Sequence, residues 1–112
     1  MTAGICAHDR GGKPLLIEKT ALYGGSSAMS GGSLWIPNNH LMTAAGVNDS
    51  PKDALTYLKH ITRGTIPEQK LQRYVGTAPE MLRYLTEHGH LRMQSMLTYT
   101  DYYPEAPGGS RN

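Results

Sequence analysis

Leu15-Leu16-Ile17 is an unbroken apolar run that ends in Glu18-Lys19, and Tyr23-Gly24-Gly25-Ser26-Ser27-Ala28-Met29-Ser30-Gly31-Gly32 follows a few residues later. Apolar residues without alternation are expected of a strand covered on both faces, as in a parallel sheet. Pro14 suits the first residue of such a strand, where a missing N–H is tolerated. Residues 20–39 carry four glycines and four serines and read as loop rather than helix. A flexible glycine-serine linker is the plain alternative. Its flanks, Leu15 to Glu18 before and Leu34-Trp35-Ile36-Pro37 after, are not those of a linker.

An acid at the end of a doubly covered strand has a known use. In dinucleotide-binding folds it accepts hydrogen bonds from the adenosine ribose diol, about 20 residues beyond a G-x-G-x-x-G turn. That turn is absent here. Residues 2–10, with Ala3, Ile5, Cys6 and Ala7 among small polar neighbours, read as the helix that would follow it, stopped by Gly11-Gly12. The chain therefore reads as beginning one strand and one turn late. Glu18 becomes the candidate ribose ligand, and its plain alternative is a surface acid paired with Lys19. Gly24, Gly25, Gly31 and Gly32 let backbone N–H groups approach a phosphate or a flat ring where a side chain would intervene. Ser26, Ser27 and Ser30 add donors without bulk, and Ala28 keeps the loop small.

These residues resemble the FAD-dependent oxidoreductases of the fumarate reductase and succinate dehydrogenase flavoprotein family. The E-K-x-x-x-x-G-G pattern from Glu18 to Gly25 and its serine-rich continuation carry that likeness. The chain further resembles the 3-ketosteroid 1-dehydrogenase branch in Ser30-Gly31-Gly32-Ser33-Leu34-Trp35-Ile36-Pro37-Asn38-Asn39, in Ala45-Gly46-Val47 with Asp49-Ser50, and in Asp101-Tyr102-Tyr103-Pro104. The resemblance implies FAD as cofactor, with Glu18, Lys19, Gly24, Gly25, Ser26, Ser27, Ala28, Ser30, Gly31 and Gly32 as its binding residues. It also implies an active-site place for Tyr102: supporting a second tyrosine that removes the C2 proton while hydride leaves C1 for flavin N5. That second tyrosine is not in this chain. A phenol is a poor base at its ordinary pKa of about 10 and needs neighbouring hydrogen bonds to act. Read from residues alone, Tyr102 and Tyr103 could equally be one core and one surface tyrosine.

Composition narrows the rest. The 112 residues fit one small domain, and 11 basic residues scattered among nine acids leave a net charge of +2, with no face built for nucleic acid. The apolar stretches are far shorter than the roughly 20 residues a bilayer needs, no signal peptide is evident, and the single Cys6 suits a reducing cytosol. A cytoplasmic location is the expectation. Cys6-x-His8 and His88-Gly89-His90 are too sparse for a metal centre, which needs three or four convergent ligands. Trp35 could line a pocket, although large aromatics more often anchor a core.

Downstream, Ser50-Pro51-Lys52-Asp53 predicts a helix start, and Gly64 its end. A second helix is predicted from Pro67, interrupted at Gly76-Thr77-Ala78-Pro79, with a third from Pro79 to His88-Gly89. Leu91 to Tyr103 predicts one or two short strands, and Pro104 to Asn112 a turn or loose end. The expected fold class is α/β: a partial Rossmann-like FAD-binding domain over residues 1–45, made of helix, strand and flavin loop, then a helical segment with short strands over 46–112, leading toward a substrate domain. The expected function is that of a fragment of an FAD-dependent dehydrogenase that introduces a C=C bond beside a ketone. Its expected partners are a ketone or steroid substrate in the complete protein and the remainder of the flavoprotein. A non-catalytic remnant and a small interaction module without flavin stay open as alternatives.

Overall fold

The computed structural model describes residues 1–89 and 91–110, and divides into two compact units, Met1–Trp35 and Ile36–Asn112. His90 in the histidine pair, and Arg111 and Asn112 in the expected loose end, lie outside the described residues.

The first unit begins with α1 (Thr2–Asp9), whose end is closed by Gly12 N–H donating to Ala7 O at 2.8 Å and by the Arg10 guanidinium donating to Cys6 O at 3.1 Å. The expected strand is not there. Residues 12–18 have no regular structure, and Leu15 and Ile17 are 85% and 87% exposed. A strand exists only as a ladder of hydrogen bonds to a neighbour. No described residue supplies one to Leu15–Ile17, so an apolar run that would need cover on both faces has none within its unit. The expected α/β, Rossmann-like fold class is thereby corrected: the described residues are helical and contain no strand. The loop also departs from expectation, since Gly25–Ala28 close one helical turn, α2.

The second unit is built on three helices. α3 (His40–Ala44) is capped by Asn39, whose side-chain oxygen accepts the N–H groups of Leu41 and Met42. α4 (Pro51–Thr62) starts as its sequence predicts. Asp53 N–H donates to Ser50 Oγ at 3.1 Å, the Ser50 hydroxyl donates to the Asp53 carboxylate at 2.6 Å, and Pro51 occupies the first turn. Arg63 takes the left-handed turn that ends it, with Gly64 following.

α5 (Glu68–His88) is one helix where two were predicted. Pro79 removes one intrahelical donor, a loss of about 3 kcal/mol or more in a helix interior. Burial opposes that loss. Leu71, Val75, Ala78, Leu82 and Leu85 are all buried and recur every three or four residues, so a single apolar face runs straight past the proline. Ala54 and Tyr57 of α4 are buried as well, and α4 packs on α5, with Lys59 Nζ 2.6 Å from Glu68 Oε1 across their connection. Around Ile36, Ala78 and Leu82 gather Leu41, Leu91 and Met93. Leu91 and Met93 thus reach the core from irregular backbone. The short strands predicted between Leu91 and Tyr103 do not form, and a turn at Leu97-Thr98 lies among them.

Leu82→Ala should lower the unfolding free energy by about 2–5 kcal/mol by emptying the core centre, and Ser50→Ala by about 1 kcal/mol through loss of the cap. Urea unfolding followed by far-UV circular dichroism checks both, and equal effects would contradict the burial difference between the two sites.

Candidate functional site

In the first unit every sequence-predicted cofactor residue is exposed. Glu18 folds back on its own chain: Thr20 N–H donates to Glu18 Oε1 at 3.1 Å, and the Thr20 hydroxyl donates to Leu22 O at 2.6 Å. This turn ties one carboxylate oxygen to Thr20 and carries the chain from Glu18 toward Gly24. No Glu18–Lys19 ion pair forms among the described residues, so Glu18 is not a surface acid committed to its neighbour.

The glycine loop has a definite shape. Gly24 caps α2 at φ +116, and a Cβ placed there would come 2.7 Å from the Ala28 Cβ. Only glycine serves at that position, for both backbone and space. Because α2 is a single turn, the N–H groups of Gly25, Ser26 and Ser27 have no acceptor inside the helix, and they form a short row of donors next to the hydroxyls of Ser26 and Ser27. Ser30 Oγ is otherwise engaged, accepting Gly32 N–H at 3.1 Å, which bends the chain through Gly31 and Gly32. Trp35 is 37% exposed at the end of this unit.

Tyr102 belongs to the second unit. It is 85% exposed on a loop tied together at both ends: Ser110 N–H donates to Asp101 Oδ2 at 2.7 Å, and Asp101 N–H donates to Ser110 O at 3.2 Å. Beneath it, the Tyr57 hydroxyl accepts Tyr103 N–H at 3.3 Å. Tyr103 is also exposed, so neither tyrosine is a core residue. Burial raises the Tyr57 pKa above its ordinary value of 10.0, the Tyr103 hydrogen bond lowers it, and the nearby Asp101, Tyr103 and Glu105 charges raise it further. Tyr57 is therefore held as a neutral phenol.

Two features escaped the sequence reading. Asp49 Oδ2 accepts Asn38 N–H at 2.6 Å and its Oδ1 accepts Ser50 N–H at 2.7 Å, joining the segment before α3 to the cap of α4. Asn38 sits in a left-handed conformation, φ 54, which its short polar side chain tolerates. Asn38-Asn39 and Asp49-Ser50 stand out in the sequence, but nothing there joins them. An open groove of about 320 Å³ also lies along α5, lined by His40, Glu80, Arg83, Glu87 and His88 among others. It contains none of the predicted site residues, and His88 packs there against Tyr84 with ring centroids 5.0 Å apart. Among the described residues no three His, Cys, Asp or Glu side chains converge as a metal site, and no helix is long and apolar enough to cross a membrane.

Comparison with known proteins gives a consistent picture. A family model described as FAD binding domain matches residues 1–111. The 3-oxosteroid 1-dehydrogenase of Mycobacterium tuberculosis is 43% identical over 109 residues, 97% of this chain and 19% of that protein. The 4-oxocyclohexanecarboxylate 2-dehydrogenase of Sinomonas cyclohexanicum is 35% identical over 108 residues, 96% of this chain and 19% of that protein. The crystal structure of 3-ketosteroid delta1-dehydrogenase from Sterolibacterium denitrificans, in complex with 1,4-androstadiene-3,17-dione, superposes with a TM-score of 0.85 at 41% identity, covering 98% of this chain and 19% of that one. The chain thus spans about a fifth of the length of the relatives it matches.

The raised Tyr57 pKa has a thermodynamic consequence. The folded state favours the protonated phenol, so this contribution to stability is complete below pH 10 and is lost as pH rises through the folded-state pKa. The melting temperature should fall as pH rises above 10 and through the raised folded-state pKa, and Tyr57→Phe should reduce that fall. An identical pH dependence in the variant would contradict the assignment.

Proposed function

The chain belongs to the FAD binding domain family, and from that premise we propose that it is the flavin-holding part of an FAD-dependent dehydrogenase that introduces a C=C bond beside a ketone, with a 3-ketosteroid as substrate. The observation that carries this reading is 43% identity to a 3-oxosteroid 1-dehydrogenase across 97% of the chain.

The residues fit the cofactor. Glu18 leaves Oε2 without a partner among the described residues and is exposed, as a carboxylate receiving a ribose diol must be. Its charge also works against a 2′-phosphate. Gly24 permits the tight turn of α2, where a Cβ would meet Ala28, and that turn leaves the N–H row of Gly25 to Ser27 available to a pyrophosphate or a flat ring. Lys19, Ala28, Ser30, Gly31 and Gly32 complete that face in this reading, the small residues leaving room and Lys19 offering a cation to the phosphates.

When bound, FAD supplies the acceptor for the hydride. On this chain Tyr102 holds a phenol proton in the site and donates a hydrogen bond to the tyrosine that takes the substrate proton. That bond stabilises the partner as the phenolate it must be before it takes the proton, offsetting an ordinary pKa of about 10. The ketone relative from Sinomonas cyclohexanicum makes the ring ketone, rather than the whole steroid, the shared chemistry.

The 112-residue chain should hold FAD weakly, since it spans 19% of its relatives' length, and Glu18→Ala should weaken binding by a further 1.5–3 kcal/mol or about that, as for loss of a charge-assisted hydrogen bond. Flavin fluorescence titration checks this. Equal affinity in the variant would remove Glu18 from the site.

A further inference from the structure

We propose that Tyr57 is a positioning residue for Tyr102: its buried hydroxyl and the Asp101–Ser110 clasp together fix the loop that presents the Tyr102 phenol. This rests on the reading of Tyr102 as an active-site tyrosine.

The loop is over-determined for an exposed segment. Its ends are joined by two hydrogen bonds, Ser110 N–H to Asp101 Oδ2 and Asp101 N–H to Ser110 O. Inside it, Ala106 N–H donates to Tyr103 O at 3.0 Å and Gly109 N–H donates to Ala106 O at 2.8 Å, so successive turns leave little backbone freedom. Its underside is laid against α4: a Cβ on Gly108, which has φ +77, would collide with the Asp53 carbonyl oxygen and reach 2.9 Å from Tyr57 N. An exposed loop held only by its own turns would be among the first segments to open. Here one deep anchor, Tyr57, 3% exposed, takes the amide adjacent to Tyr102 itself.

The bond is placed where it matters. Tyr103 N–H belongs to the peptide unit whose carbonyl is that of Tyr102, so holding it fixes the plane from which the Tyr102 side chain departs. A hydrogen bond from Tyr102 to a base must be held within about half an ångström to stabilise that base as the phenolate that accepts the proton. Tyr57 cannot itself serve as that base, because burial and the neighbouring Asp101 and Glu105 carboxylates keep it protonated. Its contribution is therefore geometric, and Phe, which preserves the ring packing and deletes only the oxygen, isolates it.

Two measurements test the proposal. In the 112-residue chain, amide hydrogen exchange by NMR should show Tyr103 exchanging about tenfold faster or more in Tyr57→Phe and in Asp101→Ala, while Leu82 stays protected. Unchanged Tyr103 exchange overturns the tether. For activity, the segment 1–111 replaces its counterpart in the full-length Mycobacterium tuberculosis relative, and turnover of a 3-ketosteroid is compared in wild type, Tyr57→Phe, Tyr102→Phe and the double variant. Tyr57→Phe should lower kcat by about tenfold or more with flavin content and KM nearly unchanged, and should add nothing in the Tyr102→Phe background, because it acts through that residue. Additive losses, or a normal kcat in Tyr57→Phe while Tyr102→Phe is slow, overturn the positioning role alone. A normal kcat in Tyr102→Phe overturns the reading of Tyr102, and the positioning role with it.

Discussion

The apolar stripe of α5 is the constraint on which the second unit depends. Leu71, Val75, Ala78, Leu82 and Leu85 are buried along one face, and everything else in the unit is arranged to cover them. The stripe accounts for the helix persisting through Pro79. Breaking there would swing Ala78 and Leu82 apart, and with Ile36 these two form a core cluster onto which Leu41, Leu91 and Met93 pack. Burying a side chain of this size contributes about 1.5–3 kcal/mol, so two or three of them outweigh one missing intrahelical donor. It also brings the irregular segment after His88 back onto the helix, since Leu91 and Met93 pack on the cluster there.

Polar contacts then fix what the stripe alone leaves free. Asn39 is buried and satisfies both ends of its amide, accepting from Leu41 and Met42 while donating to Ile36 O at 2.6 Å. That ties the start of α3 to the residue that enters the core. Asp49 does the same between Asn38 and Ser50, so the turn before α3 and the cap of α4 share one carboxylate. Buried or half-buried polar groups that are fully paired specify a single arrangement in a way that apolar contacts do not. The loop bearing Tyr102 uses the same device through Asp101 and Tyr57.

What could be read from the sequence follows from how local each signal is. The start of α4 was legible because Ser50, Pro51 and Asp53 act on one another within a single turn. The end of α1 and the end of α5 were legible for the same reason, through Gly11-Gly12 and Gly89. The break expected at Gly76-Pro79 failed because a local cost was weighed without the long-range burial that offsets it. The strands expected at Leu15–Ile17 and after Leu91 failed differently. Apolar runs report a need for cover but not the kind of cover: Leu91 and Met93 pack on a core cluster built on α5, while Leu15 and Ile17 obtain none within their unit. At the candidate site, the glycines and Glu18 were visible as residue types. The Asp49 junction and the Tyr57 anchor were not, because each joins segments whose separation in sequence carries no pattern, 11 residues for Asn38–Asp49 and 46 for Tyr57–Tyr103.

The two units therefore stand in different relations to function. In the second, Tyr102 rests on a loop whose anchors trace back through Tyr57 to the α4–α5 packing, so its backbone is held within the unit. In the first, no described residue before Ile36 is buried, and the loop from Gly24 to Gly32 keeps its shape by one helical turn and the Ser30–Gly32 bond. A segment with no core of its own gains stability from whatever binds its ordered form, in proportion to the logarithm of ligand concentration over the dissociation constant. Gly24 and Gly25, costly in conformational entropy and held at positive φ, add to the folding cost of this loop, a cost that cofactor binding would offset under the proposed function.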